Sequence, residues 1–422
     1  VCAKCIPKQN EGIYSASAIE TFVRFAVVAL IMLLTLHSAQ AQPAEITVKE
    51  WVIPTDNSAP HDIVVDKIGI VWFTEINTNK IGRFDPKTEK FTEYSIPTPS
   101  SRPHGLVVDG QGNVWFTETG ASKIGRLNPQ NGKVDEFPTP TPNSAPHNPI
   151  LGKDFLWFTE IGASNIGRLD VKTGKIDEFP TPTGASSPYG IILDQEGNPW
   201  FAELTGHAIG KVDAKTGEIT EYPTPTKESG TRRIAIDSKG TLWFTEYNVG
   251  KIGSFDPKSK KMREYDTSSA SSGPYAIWVD LYDNVWFSMT RSYKVGKIDV
   301  KTEGFDVVIG INEYDLPTPR TVIRFIYADH EGNIWFPNNN NNKIGMITSN
   351  MQKPSNQDRV PVEMPQIKME KPAMEPVKQE SPKVEEISSE GQLIGLPIMA
   401  LASIIGIAAL AAFLKLYRKK PA

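Results

Sequence analysis

Seven times along this chain a phrase close to Val-Trp-Phe-Thr-Glu is followed by Ile-Gly or a near variant. The tryptophans that mark it, Trp72, Trp115, Trp157, Trp200, Trp243, Trp286 and Trp335, stand 43, 42, 43, 43, 43 and 49 residues apart. A fixed period of this length means that one supersecondary unit is repeated, each copy burying its apolar faces against its neighbours. Within one period short apolar runs alternate with turn residues and no helical spacing intervenes. The unit therefore reads as a four-stranded antiparallel meander, and the array as an all-β, seven-bladed β-propeller.

The second repeat shows the pattern most clearly. Gly105 to Asp109, Asn113 to Thr117, Lys123 to Asn128 and Lys133 to Pro138 are its four expected strands. Asp109-Gly110-Gln111-Gly112 and Asn131-Gly132 supply the residues that tight hairpins need. The seventh repeat lacks an outer strand of its own. Ile46 to Pro54 resembles the outer strands of other repeats and is expected to pair with the last blade, closing the ring and removing its exposed edges.

The segments flanking the repeats have a different character. Phe25 to Leu36 is an uncharged apolar stretch after Arg24 and ends near Ala39-Gln40-Ala41, so residues 1–41 read as an export signal. Cys2 and Cys5 are the two cysteines of the chain and both lie there, which leaves the propeller, residues 42–349, without disulfides. Residues 350–392 are rich in Pro, Glu, Lys and Met and read as a disordered stalk. Residues 393–414 carry no charge and are long enough to cross a bilayer as a helix, followed by a basic tail, 415–422. Positive residues favour the cytoplasmic side, so the propeller is expected outside the cell as a single-pass, membrane-anchored monomer. A net charge of -4 gives no basic excess and argues against a nucleic-acid partner.

Comparing the repeats with one another separates scaffold from site. The seven Trp, and Gly82, Gly125, Gly167, Gly210, Gly253, Gly296 and Gly345, recur in every repeat and read as structural. Ten or eleven residues before each Trp the residue varies: His61, His104, His147, Tyr189, Arg232, Tyr275, Arg324. Three residues after each Trp stand Glu75, Glu118, Glu160, Glu203, Glu246, Met289 and Asn338. A hairpin brings these two positions to the same end of a blade, so the histidines and carboxylates are expected to converge at one mouth of the central channel. There Glu75, Glu118 and Glu160 are candidate ligands for a hard cation such as Mg²⁺. His104, His61 and His147 are candidate proton acceptors. Two plainer readings stand beside these: the glutamates accept hydrogen bonds from loop amides, and the histidines cap the first strand of each blade. Asn338 to Asn342, and a six-residue excess between Asp299 and Trp335, are assigned to the seventh blade as polar loops.

The sequence Arg102-Pro103-His104-Gly105, then Trp115-Phe116-Thr117-Glu118, then Lys123-Ile124-Gly125-Arg126, resembles the blade signature of the virginiamycin B lyase (streptogramin lyase) family, and the resemblance extends over residues 46–349. It implies a seven-bladed propeller that linearises streptogramin B antibiotics by elimination. In that family a histidine accepts the proton, Mg²⁺ held by Glu polarises the ester, and a histidine of the neighbouring blade contacts substrate. Pro60-His61 with Pro103-His104, or Pro103-His104 with Pro146-His147, match the neighbouring Pro-His blades this requires. Where the family places its metal-binding Glu, two residues before the basic histidine, this chain has Ala59, Arg102 and Ala145. The late blades, which carry the family's catalytic residues, here hold Tyr275 and Arg324.

Three functions are compatible with this reading. One is a metal-assisted lyase or hydrolase acting on a cyclic ester or lactone. Another is a noncatalytic propeller that recognises a small molecule, glycan or peptide through Tyr189, Arg232, Tyr275 and Arg324. The third is a structural component of the cell envelope.

Overall fold

The structure, a computed structural model, describes residues 46–303 and 306–349. The export signal, both cysteines, the stalk, the apolar stretch 393–414 and the basic tail lie outside the described residues. Among the described residues no helix is long and apolar enough to cross a membrane.

Seven four-stranded antiparallel sheets make up the fold. The first six blades follow chain order, at residues 60–95, 103–138, 146–180, 188–223, 231–266 and 274–315. The seventh combines Tyr327–Ala328, Ile334–Asn338 and Lys343–Ser349 with the N-terminal strand Ile46–Val52. That strand pairs along its whole length, from Ile46 opposite Ser349 to Val52 opposite Lys343, which is the closure the missing outer strand requires. In the second blade the strands span Pro103–Val108, Val114–Glu118, Lys123–Asn128 and Lys133–Pro138. The first two differ from expectation by one or two residues at their ends.

Each residue of the repeated Trp-Phe-Thr-Glu has a separate task. The indole is a wedge between blades: Trp72 packs with Leu106, Val114 and Phe116 of the second blade, and Trp115 with Leu156 and Phe158 of the third. The Phe ring packs against the Gly of the adjacent strand, and a Cβ added at Gly82 would stand 2.1 Å from Phe73. This contact explains why Ile-Gly recurs. In six of the seven blades the hairpin turn before the Trp is tied to the indole by an Asp. In the second blade Asp109 accepts from the backbone N–H of Gln111 and Asn113 and from Trp115 Nε1 at 3.0 Å. Blade three, one residue shorter here, has Leu151 and Gly152 in that turn instead.

Neighbouring blades are also stitched near their outer strands. A Thr in the Pro-rich loop after the outer strand gives its hydroxyl to a Glu of the next blade, as Thr98 does to Glu136 at 2.7 Å and Thr141 to Glu178 at 2.5 Å. The last of these contacts joins Thr318 to Glu50 of the closing strand.

Two expectations are corrected. The six extra residues belong to the sixth blade, whose outer hairpin, Lys294–Glu303 and Asp306–Asp315, is longer than its counterparts. The asparagine run 338–342 forms part of the ring closure. Asn338 is buried and donates to Glu50 at 3.1 Å and Thr321 at 3.0 Å, while Asn342 donates to the carbonyls of Ile53 and Thr55.

Candidate functional site

In each of the first six blades the innermost strand slips register just where the variable residue sits. In the first blade Pro60 faces Glu75 and Ile63 faces Phe73, leaving His61 and Asp62 to share a single partner, Thr74. Such a bulge turns two consecutive side chains away from the regular pleat. The repeated Thr fixes the slip. Thr74 Oγ1 accepts from the backbone N–H of Asp62 at 3.1 Å and donates to the carbonyl of His104 at 2.8 Å. Thr117 bridges Gly105 and His147 in the same way, and Thr159 bridges Asn148 and Tyr189. A scaffold residue of one blade thereby sets the height of the variable residue in the next.

The result is a stack of rings around the channel. His61 and His104 have ring centroids 3.8 Å apart, His104 and His147 3.6 Å, and His147 and Tyr189 3.9 Å. Across from the histidines, the Arg232 guanidinium lies over Tyr247 at 4.1 Å, Tyr275 at 4.8 Å and Tyr189 at 5.3 Å, and Arg324 lies over Tyr275 at 5.3 Å. The hydroxyls of Tyr189 and Tyr275 are in hydrogen-bond contact. All seven variable positions thus share one end of the channel, the three histidines being 4%, 8% and 2% exposed in chain order.

A second layer was missed from sequence. It is formed by the residues immediately after the variable ones: Asp62, Gly105, Asn148, Gly190, Arg233, Ala276 and Phe325. Asp62 and Arg233, from blades one and five, form a buried ion pair across the channel, with Nη2 to Oδ1 at 2.8 Å and Nη1 to Oδ2 at 3.4 Å. Asn148 Nδ2 donates to the same carboxylate at 3.0 Å. The signal was available: this column varies from repeat to repeat as much as the column before it.

This layer orients the imidazoles. His61 Nδ1 lies 2.8 Å from Asp62 Oδ1, and His147 Nδ1 lies 2.8 Å from Asn148 Oδ1. Both partner oxygens can only accept, so Nδ1 carries the proton in each ring and Nε2 is left as an acceptor. His104 is followed by Gly105 and its buried Nδ1 has no partner among the described residues. Burial lowers the His61 pKa to about 4, against the opposing hydrogen bond and charge of Asp62. Burial, then the neighbouring imidazoles and Arg233, hold His104 well below the usual range, and burial and Arg233 do the same for His147. All three rings are neutral at physiological pH.

The expected convergence of carboxylates with histidines does not occur. Glu75, Glu118 and Glu160 are fully buried at the ends of their strands, each beside a second carboxylate of its own blade, Glu93, Glu136 and Glu178 respectively. The physical reason is the strand itself. The bulge swings His61 toward the channel, while Glu75 lies on a regular strand and keeps its side chain against the outer strands of the blade, near Thr78 and Lys80. Among the described residues, one group of three potential metal ligands comes together within 4.8 Å: His61, Asp62 and His104. Two imidazoles and one carboxylate already engaged by Arg233 do not suit Mg²⁺, which takes an octahedron of oxygens. The residues present therefore do not fit the Mg²⁺ that the resemblance implies.

The glutamates have a different consequence. Burial first, then the neighbouring carboxylate, pushes Glu203 and Glu246 up to about 8, and burial brings Glu75, Glu118 and Glu160 up to about 7. An unfolded Glu ionises near 4.5, so the folded form holds the extra proton between the two values and this stability is lost as pH rises through about 8. Relative to wild type, Glu203→Gln is expected to gain on the order of 3 kcal/mol between pH 5 and pH 9. Urea unfolding of both proteins across that range measures it; parallel curves would show that Glu203 does not titrate in the fold.

Comparisons with known proteins agree with this architecture. A family model described as the virginiamycin B lyase family matches residues 39–155 and 215–357. A solved streptogramin B lyase structure is similar at 31% identity over 72% of this chain and 98% of that one, with a TM-score of 0.66. A catalytically inactive histidine-to-alanine variant of virginiamycin B lyase from Staphylococcus aureus, solved with quinupristin, is similar at 31% identity over 72% and 99% of the two chains, TM-score 0.66. The extracellular domain of a putative hybrid two-component system from B. thetaiotaomicron shares the fold alone, at 12% identity over 72% of this chain and 40% of that one, TM-score 0.57. No curated protein matches the chain.

Proposed function

This chain belongs to the virginiamycin B lyase family, and on that premise we propose that its histidine-lined mouth opens a cyclic ester or lactone by elimination without a metal ion. The observation that carries the reading is the Asp62–His61 pair, which presents a neutral imidazole beside His104 and opposite Arg232 and Arg324. His61 Nε2 takes the proton α to a carbonyl, the bond from the β-carbon to the acyloxy oxygen breaks, and a C=C bond and a free carboxylate form. The guanidinium groups of Arg232 and Arg324 stabilise the enolate-like charge and receive the departing carboxylate. His104 and His147 contact substrate from the second and third blades.

Elimination leaves the product isomeric with the substrate, whereas hydrolysis adds one water. Mass spectrometry of a streptogramin B depsipeptide, or of a simpler macrocycle whose β-acyloxy linkage lies within the ring, incubated with the protein separates the two. His61→Ala is expected to lower the rate about 10²–10⁴-fold, and EDTA is expected to leave it unchanged. A rate indifferent to both His61→Ala and His104→Ala would reject the lyase reading. One observation favours a noncatalytic alternative: the aromatic and arginine side of the mouth is as extensive as the imidazole side. Ligand capture that survives loss of all three histidines, with no turnover, would support recognition alone.

The proposal includes export through residues 1–41 and anchoring through residues 393–414, with the propeller monomeric at the outer surface. Protease added to intact cells is expected to remove the propeller and leave a membrane-embedded C-terminal fragment.

A further inference from the structure

Beneath the Asp62–Arg233 layer, on the side away from the histidines, the channel opens into a cavity of about 590 Å³. Its wall takes aliphatic side chains from each of the first six blades, Val64, Leu106, Ile150, Ile191, Ile234 and Ile277 among them, and Asp66, Lys67, Arg83 and Asp109 line it as well. The remaining side is aromatic. Trp278 lies 5.0 Å from Tyr327 and 5.8 Å from Phe325, ring centroid to centroid, and all three line the space. The innermost strands explain this change of character along the channel. Past the bulge they resume a regular pleat: Leu106, Ile191, Ile234 and Ile277 each stand opposite the repeated Phe, and Val64 and Ile150 one residue further along, opposite Trp72 and Trp157.

The floor is polar. Arg233 lines it and is 3% exposed; two of its nitrogens are taken by Asp62, but its buried Nε–H has no hydrogen-bond partner among the described residues. A donor so placed is costly unless an acceptor meets it. The adjacent charge is already balanced by Asp62, so a neutral oxygen suits the position better than a second carboxylate.

We propose that this cavity is a second binding site, distinct from the histidine mouth, for a small uncharged aromatic compound that carries a carbonyl group. The carbonyl oxygen accepts from Arg233 Nε–H, and the aromatic body fills the space between the aliphatic wall and the face of Trp278. Apolar and aromatic walls with a few polar groups among them, in a volume of this size, are the usual makeup of a small-molecule site. The site does not depend on catalysis at the other mouth.

Two neutral aromatic ketones serve as probes of the wild-type protein. The naphthyl ketone PRODAN should show blue-shifted, enhanced emission on titration with the protein and accept energy transfer from tryptophan. Benzophenone, irradiated with the protein and mapped by mass spectrometry, should insert into the strand Pro274–Val279 or the residues around Phe325. Trp278→Ala should weaken PRODAN binding at least tenfold, while Tyr247→Ala, at the histidine mouth, should leave it unchanged. The proposal is overturned if benzophenone labels only the histidine mouth or the outer surface. It is equally overturned if PRODAN binding is absent, or lost in Tyr247→Ala and retained in Trp278→Ala. Because wild-type labelling needs no variant, a misfolded Trp278→Ala would not remove the test.

Discussion

Replacing Asp62 by alanine is expected to destabilise the propeller by about 3–5 kcal/mol, because it leaves the Arg233 guanidinium buried and unpaired in the middle of the channel. Asp62 accepts from Arg233, Asn148 and His61 together, so its loss unfastens groups from two other blades as well as its own. The double variant Asp62→Ala/Arg233→Leu should recover much of that stability, since an apolar pair removes the uncompensated charge. It should not recover catalysis, because His61 would still lack the partner that fixes its tautomer. Chemical unfolding of the two single variants and the double variant, read with the rate of ring opening, tests both halves. Additive stability losses would mean that the ion pair is not coupled as its geometry requires.

The second large effect concerns closure. Substituting Ile46–Val52 with a Gly/Ser segment of equal length is expected to cost on the order of 5 kcal/mol or more, a large share of the 5–15 kcal/mol that typically holds a domain together. The strand contributes seven paired positions, the Trp51 ring stacked 5.6 Å from Trp335 and 5.0 Å from Phe84, and Glu50, which receives Thr318, Asn338 and Lys343. Without it the seventh blade presents a bare edge and the first blade loses an apolar neighbour. A thermal melt that stayed cooperative and within a few degrees of wild type would show that the ring closes by some other means.

These two features differ in how far the sequence disclosed them. The closing strand was legible because Ile46–Val52 resembles the other outer strands and the seventh repeat lacks one. The ring of variable residues was legible too, since comparison between repeats isolates His61, His104, His147, Tyr189, Arg232, Tyr275 and Arg324. The Asp62–Arg233 pair was not read, although its column varies equally, because no rule of periodicity says that a residue next to a site residue points into the same channel. Both do so here because the bulge suspends the two-residue alternation of the strand.

The carboxylates mark the opposite limit. Hairpin geometry brought Glu75 and His61 to the same end of the blade, as Pro60 opposite Glu75 confirms, yet end-of-strand position does not specify radial direction. Burial beside Glu93 turned a candidate metal ligand into a carboxyl that keeps its proton until about pH 7. By itself the repeat determined the number of blades, the closure and the identity of the variable column, since these follow from period and alternation alone. Which side chains reach the channel, which stay between strands and how the channel divides into a histidine mouth and an apolar cavity were decided by a bulge and a cross-channel ion pair. The ion pair joins residues 171 positions apart, and the bulge is set by a Thr that also bonds the next blade, contacts about which local pattern carries no information.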